Sequence, residues 1–171
     1  MMHIRALTSA DLAAFSVPNG AFRVPSFAHR VVDGDTIKLL SGRRDPMGRP
    51  IVAARLRFRS METPETRKNR WADAPLVALG ADPDRDCPGR RARETLTGFV
   101  RGRDLIVSHQ GRFDPHGRLL CDIAVLPNRG SALEEAVSLE RVMIARGVAK
   151  RFKEERLPPL HPFLGDPCPA P

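Results

Sequence analysis

Hydrophobic and polar positions alternate with a period of two over the first half of the chain. Residues 24–32 and 36–40 are rich in apolar and β-branched side chains and flank Asp33-Gly34-Asp35. Asp-Gly between two such runs predicts a hairpin, because those residues tolerate the tight backbone of the turn. Residues 41–50, with Gly42, Pro46, Gly48 and Pro50, read as a loop. Residues 51–58 resume the alternation, with Leu56 and Phe58 on one side and Arg55, Arg57 and Arg59 on the other. Three arginines on one strand face point beyond a purely structural role.

The period then changes. Ala92, Leu96, Phe99 and Val100 fall at i, i+4, i+7 and i+8 and predict a helix over residues 89–101. Strands are expected at 104–109 and 118–126. A second helix is expected from Ser131, where Ser131-Ala132-Leu133-Glu134 fits a capping box, followed by a stripe of Ala132, Ala136, Leu139 and Met143 and by Gly147 as terminator. The order β-β-β-α-β-β-α predicts a mainly β protein with helices (α+β): a five-stranded OB-type barrel with two flanking helices. The expected organisation is a poorly determined leader over 1–21, one domain over 22–157, and a tail over 158–171. That tail holds six of the 16 prolines and reads as extended or disordered.

Composition narrows the class. The chain has 171 residues, 42% of them hydrophobic, which suits one core. No run of 18 apolar residues occurs, so neither a spanning helix nor a membrane partner is expected. Residues 1–15 lack a long apolar stretch, so no signal peptide is expected; the chain as written reads as cytoplasmic, with export the alternative if its start lies elsewhere. The net charge is +8, carried by 24 Arg and 4 Lys. Such a balance suits a polyanion, whether nucleic acid, anionic lipid or an acidic polymer. A coding bias towards Arg would produce the same excess. Cys87, Cys121 and Cys168 form no CxxC pair, and the five histidines show no metal-binding spacing. Cys121 lies in an apolar run and is expected in the core.

The remaining chemistry is oxygen and guanidinium. Asp33 and Asp35 share a hairpin turn, and Glu62 and Glu65 follow the third strand. If the first three strands are neighbours, these carboxylates converge, and a carboxylate cluster without His or Cys suits a hard cation such as Ca²⁺ or Mg²⁺. Taken singly, the same residues also read as turn and loop chemistry. Arg57 leads into the carboxylate loop and Arg118 follows a turn at 113–117. Two guanidinium forks beside a metal and a base are what in-line displacement at phosphorus requires.

Arg30-Val-Val-Asp-Gly-Asp-Thr-Ile37, Arg57 with Thr63-Pro64-Glu65, Asp114-x-x-Gly117-Arg118 and Arg146-Gly147-Val148-Ala149 occur in that order. Over about residues 22–152 the chain thereby resembles the staphylococcal nuclease (thermonuclease) family, a family of Ca²⁺-dependent phosphodiesterases on an OB barrel. The resemblance implies that Asp35, the residue at position 62 and the Thr63 carbonyl hold the metal, with Asp33 beside them. It implies Glu65 as general base and Arg57 and Arg118 as phosphate ligands. Hydrolysis of DNA or RNA would leave a 3′-phosphate and a 5′-hydroxyl.

The chain departs from that pattern in places. Glu62 stands where the family has Asp, and Pro115-His116 replaces a Lys-Tyr-like pair in a chain with no Tyr. His116, Arg67 and Lys68 are the remaining candidates for substrate contact, the last two on a long 66–88 loop. No counterpart of the family's third, C-terminal helix is expected. A non-catalytic OB-fold module that binds nucleic acid is the alternative reading, and a family member with another role, such as protein interaction, is a third.

Overall fold

The computed structural model describes residues 4–14, 17–18, 20–64, 87–128 and 130–151. The chain starts with a short strand β1 (Arg5–Ala6) and helix α1 (Ser9–Ala13). Strands β2 (Gly20–Val24), β3 (His29–Asp33), β4 (Thr36–Arg44), β5 (Pro50–Phe58) and β6 (Met61–Glu62) follow. Helix α2 (Pro88–Val100) precedes β7 (Leu105–Phe113) and β8 (Leu119–Val125). A 3₁₀ turn (Leu133–Glu135), β9 (Val137–Ser138), helix α3 (Leu139–Ala145) and β10 (Lys150–Arg151) complete the described residues.

The architecture is α+β. One mixed sheet runs β1-β2-β7-β8-β5-β4-β3, with β9 added to β8, and β6 pairs separately with β10. The sheet has eight strands and is not a closed barrel, so the finer expectation of five barrel strands is not shown by the ladder. The first expected strand is interrupted at residues 25–28. Pro25 lacks a ladder donor, and a turn closes there through Ala28 N–H to the Pro25 carbonyl at 2.9 Å. The strand expected over 24–32 therefore splits. Its first half, β2, pairs with β7, and its second half, β3, pairs with β4.

Other expectations hold where local chemistry is strong. The Asp33-Gly34-Asp35 turn joins β3 to β4. Helix α2 opens on Pro88, whose missing N–H is harmless in a first turn, and buries Ala92, Leu96 and Val100. Helix α3 ends as Gly147 predicted. Gly147 (φ 66°) donates to the Ile144 carbonyl at 2.9 Å and Val148 to that of Met143 at 3.2 Å. That is the Schellman pattern, with Met143 and Val148 both in the core.

Two expectations fail. The helix does not begin at Ser131. Val137 and Ser138 pair with Val125 and Ala124 as an edge strand, and Ser138 then caps α3 through the Arg141 N–H. Residues 41–50 are not all loop either, since β4 runs to Arg44 and only a tight turn separates it from β5. In the N-terminal segment Leu7 and Leu12 are buried, and Thr8 caps α1. Residues 158–171 lie outside the described residues.

The main core includes Phe22, Leu39, Leu56, Leu96, Leu105 and Met143, and Ile106, Ala124 and Leu126 form a smaller second cluster. Cys121 belongs to it, as expected; burial, reinforced by Asp122, pushes its thiol well above its ordinary pKa. His109 is also buried, at 4% exposure. Its Nδ1 accepts the Gly111 N–H at 3.0 Å, so its Nε2 carries the proton and donates to the Pro18 carbonyl at 2.9 Å. Burial, opposed by the Pro18 bond, lowers its pKa. His29 is lowered in the same way, by burial against its bond to the Arg103 carbonyl. The unfolded chain takes up these protons near pH ~6.5 and the native chain only below that. Stability is therefore complete above pH ~6.5 and declines as pH falls towards the native pKa values. The melting temperature is expected to be lower at pH 5.5 than at pH 7.5, with a smaller difference in His109→Gln. An equal difference in that variant would remove His109 from the account.

Candidate active site

Strand alternation sets the site's face. Leu56 and Phe58 point into the core, which turns Arg57 outward on β5. Ile37 and Leu39 do the same for Thr36 on β4. Thr36 and Arg57 are register partners, so their side chains emerge side by side. Asp35, one residue earlier, lies within reach of both. Its Oδ2 meets the Arg57 guanidinium at 3.0 Å and its Oδ1 accepts the Thr36 hydroxyl at 2.8 Å.

Arg118 comes from far along the chain. β8 runs parallel to β5, pairing Leu119 with Leu56, and Arg118 stands just before it. Its Nη1 lies 3.3 Å from the Thr36 hydroxyl. Asp35, Thr36, Arg57 and Arg118 thus form one hydrogen-bonded group. Asp35 and Thr36 are buried, and the two arginine side chains are 18% and 22% exposed. The structure brings Asp35, Arg57 and Arg118 together, while among the described residues no cluster of three carboxylates joins them.

Arg118 is aimed by its own turn. Asp114 Oδ2 accepts from Arg118 Nε at 2.6 Å, and Asp114 Oδ1 accepts the backbone N–H groups of His116 and Arg118, each at 2.9 Å. Burial alone would raise the Asp114 pKa, but the Arg118 and His116 bonds outweigh it and hold the carboxyl below its usual range. With Nε fixed on Asp114, the far edge of the guanidinium turns towards Thr36. Neither the Asp114 nor the Thr36 role follows from motif chemistry alone. The turn was nonetheless visible. Asp45-Pro46-Met47-Gly48-Arg49 repeats the pattern of Asp114-Pro115-His116-Gly117-Arg118, and its backbone, carboxylate and guanidinium bonds match one for one.

Thr63 adjoins the aspartate turn. A Cβ placed on Gly34 would lie 2.7 Å from the Thr63 hydroxyl and 2.7 Å from Ala92 Cβ. Only glycine lets the Asp33–Asp35 turn approach both Thr63, just after β6, and α2 so closely. Asp33 sits at the bulge of this hairpin, in register with Thr36. Glu62 is half-buried on β6, opposite Lys150 of β10. His116 is exposed at the tip of its turn, outside the hydrogen-bonded group. Glu65, Arg67 and Lys68 lie outside the described residues.

The donor set fits a hard cation in kind. Asp35, Glu62 and the Thr63 carbonyl offer only oxygen, as Ca²⁺ and Mg²⁺ prefer. Each carboxylate oxygen has two lone pairs, so the bonds to Arg57 and Thr36 leave Asp35 further accepting capacity. Among the described residues no three His, Cys, Asp or Glu side chains form a metal-holding group. No protein-family model matches the chain and no curated protein matches it, so its functional reading rests on the residues themselves.

Proposed function

We propose that the protein is a metal-dependent phosphodiesterase, a nuclease that hydrolyses DNA and/or RNA with low sequence specificity. The observation that carries this reading is the Asp35–Arg57–Thr36–Arg118 group, which places two guanidinium forks beside a buried carboxylate. A guanidinium has five donors, so Arg57 can hold Asp35 and still meet a phosphate. The finer fold reading, an OB-type barrel, is supported by the pairing of β2 with β7 and of β3 with β4. Taken as one bent strand, β2 and β3 bridge the two ends of the β7-β8-β5-β4 ladder.

In this reading Asp35, Glu62 and the Thr63 carbonyl hold Ca²⁺, or Mg²⁺ or another divalent ion. When bound, the ion supplies neutralisation of phosphate charge. Arg57 and Arg118 bind non-bridging phosphate oxygens and stabilise the charge that grows there. Glu65, assigned by the motif resemblance, takes a proton from the attacking water. Water oxygen bonds to phosphorus as the bond to the 5′-oxygen breaks. That oxygen gains a proton, and a 3′-phosphate remains on the other fragment.

A second reading, a non-catalytic OB-fold module that binds nucleic acid, is favoured by Glu62 in place of the resembled aspartate. One experiment separates the two. Single-stranded DNA and RNA are incubated with the protein in millimolar Ca²⁺ and in excess EDTA, and the product ends are examined. Cleavage to 3′-phosphate ends in Ca²⁺, abolished by EDTA, is the expected result. Full turnover in EDTA would overturn the metal-dependent reading. Metal-independent binding with no product in Ca²⁺ would select the binding module.

A further inference from the structure

One register step from Arg57, the outward face of the sheet carries a row of cations. Arg30 of β3 pairs with Lys38 of β4, and Lys38 pairs with Arg55 of β5. All three stand on the face opposite Val31, Ile37 and Leu56, whose side chains are in the core. Adjacent strands lie about 4.8 Å apart, so the row spans roughly 10 Å. Arg55 is two residues from Arg57 and Lys38 two residues from Thr36, a step of about 7 Å along the strands. Like charges placed directly opposite one another destabilise a sheet. Among the described residues, ion pairs such as those of Arg23, Arg57, Arg59 and Arg118 engage none of the three in the row.

The face continues in the same direction. Leu40 follows Lys38 on the outward side of β4. There Phe27, 70% exposed, lines a shallow cavity of about 150 Å³ at the margin between β4 and α1, with Leu40, Arg43 and Arg44 on one side and Ser9 and Leu12 on the other. An exposed ring beyond a row of cations offers a stacking surface for an unpaired base, which a duplex does not present.

We infer that Arg30, Lys38 and Arg55 form a binding track for the phosphates of a single-stranded polynucleotide, leading from the Arg57 site towards Phe27. The inference deepens the nuclease reading and rests on it for the identity of the polymer. Three contacts, each with a single-strand salt slope of about −0.7, amount to roughly 100-fold in affinity at 0.1 M salt relative to 1 M.

The test is fluorescence anisotropy with a labelled oligodeoxythymidylate in excess EDTA, where the proposed hydrolysis does not run. The Arg30→Gln/Lys38→Gln/Arg55→Gln variant is expected to bind roughly 100-fold more weakly at 0.1 M salt, with a log–log salt slope shallower by about 2. Its thermal midpoint is expected to be no lower than that of the parent, because the repulsion in the row is relieved. The Arg91→Gln/Arg93→Gln/Arg101→Gln variant removes equal charge from exposed positions on and just after α2, and is expected to lose far less affinity. Equal losses in the two variants, or no loss in the first, would overturn the track. Should the triple variant not fold, Lys38→Gln and Arg55→Gln singly, each expected to weaken binding about fivefold, decide the matter in the same way. Cleavage is read separately, so failure of the nuclease reading and failure of the track give different results.

Discussion

Glu65→Gln and Arg57→Lys are each expected to lower phosphodiester turnover by about 10²- to 10³-fold. Glutamine keeps the shape of Glu65 and removes only its ability to take a proton. Lysine keeps a positive charge opposite Asp35 but loses the planar fork that grips two phosphate oxygens. Arg57→Ala is the harsher variant. It removes the proposed phosphate ligand and also strips the partner from Asp35, whose side chain is only 8% exposed. It is therefore expected to lose about 1–3 kcal/mol of stability as well as activity. Initial rates on single-stranded DNA at saturating Ca²⁺, with thermal unfolding of each variant, separate the two effects. Unchanged turnover in Glu65→Gln would end the assignment of the base. Unchanged turnover in Arg57→Lys would end that of the phosphate ligand.

Leu56→Ala, one residue away, is expected to do the reverse. Leu56 is fully buried, between Leu119 of β8 and Ile37 of β4. Its truncation is expected to destabilise the fold by about 2–5 kcal/mol through lost apolar burial and a residual cavity. The melting temperature would fall by on the order of 10 °C. Below the new transition, turnover would drop much less than in Arg57→Lys, because the outward face keeps its groups. A midpoint within a degree of the parent would mean that β5 does not pack as described. Neighbouring residues thus separate stability from chemistry because alternation sends them to opposite faces.

Where a feature depends on a few consecutive residues, it was legible in the chain. The Asp33-Gly34-Asp35 hairpin, the buried stripe of α2 and the Gly147 stop of α3 each reflect interactions between residues at most five apart. The start of α3 departs from the capping-box expectation because Val137 and Ser138 find edge pairing on β8. That pairing outweighs the capping box suggested by Ser131, whose hydroxyl instead accepts the Asn128 N–H. The barrel expectation met a similar limit. Alternation marked residues 24–32 as extended, but nothing in the pattern said that its two halves would choose different partners. In the candidate site, Asp35, Arg57 and Arg118 carried recognisable motifs. Thr36 and Asp114 stand inside the same motifs without an assigned role: Asp114 acts within its own turn, whereas Thr36 gains its role only once Arg118 arrives from a distant segment.

The two Asp-Pro-X-Gly-Arg turns separate these levels. In each, the aspartate collects the same N–H groups and the same guanidinium Nε, at 2.7 Å from Arg49 and 2.6 Å from Arg118. Short-range hydrogen bonding and a glycine at positive φ suffice for that, so the chain dictates both turns wherever they fall. Their fates differ nonetheless. Arg49 ends 76% exposed, whereas Arg118 is 22% exposed and reaches Thr36 across the sheet. The difference comes from the parallel pairing of β5 with β8, which burial of Leu56, Phe58 and Leu119 favours over a long sequence separation. No local pattern encodes that contact, since its free energy appears only when both strands close over one core.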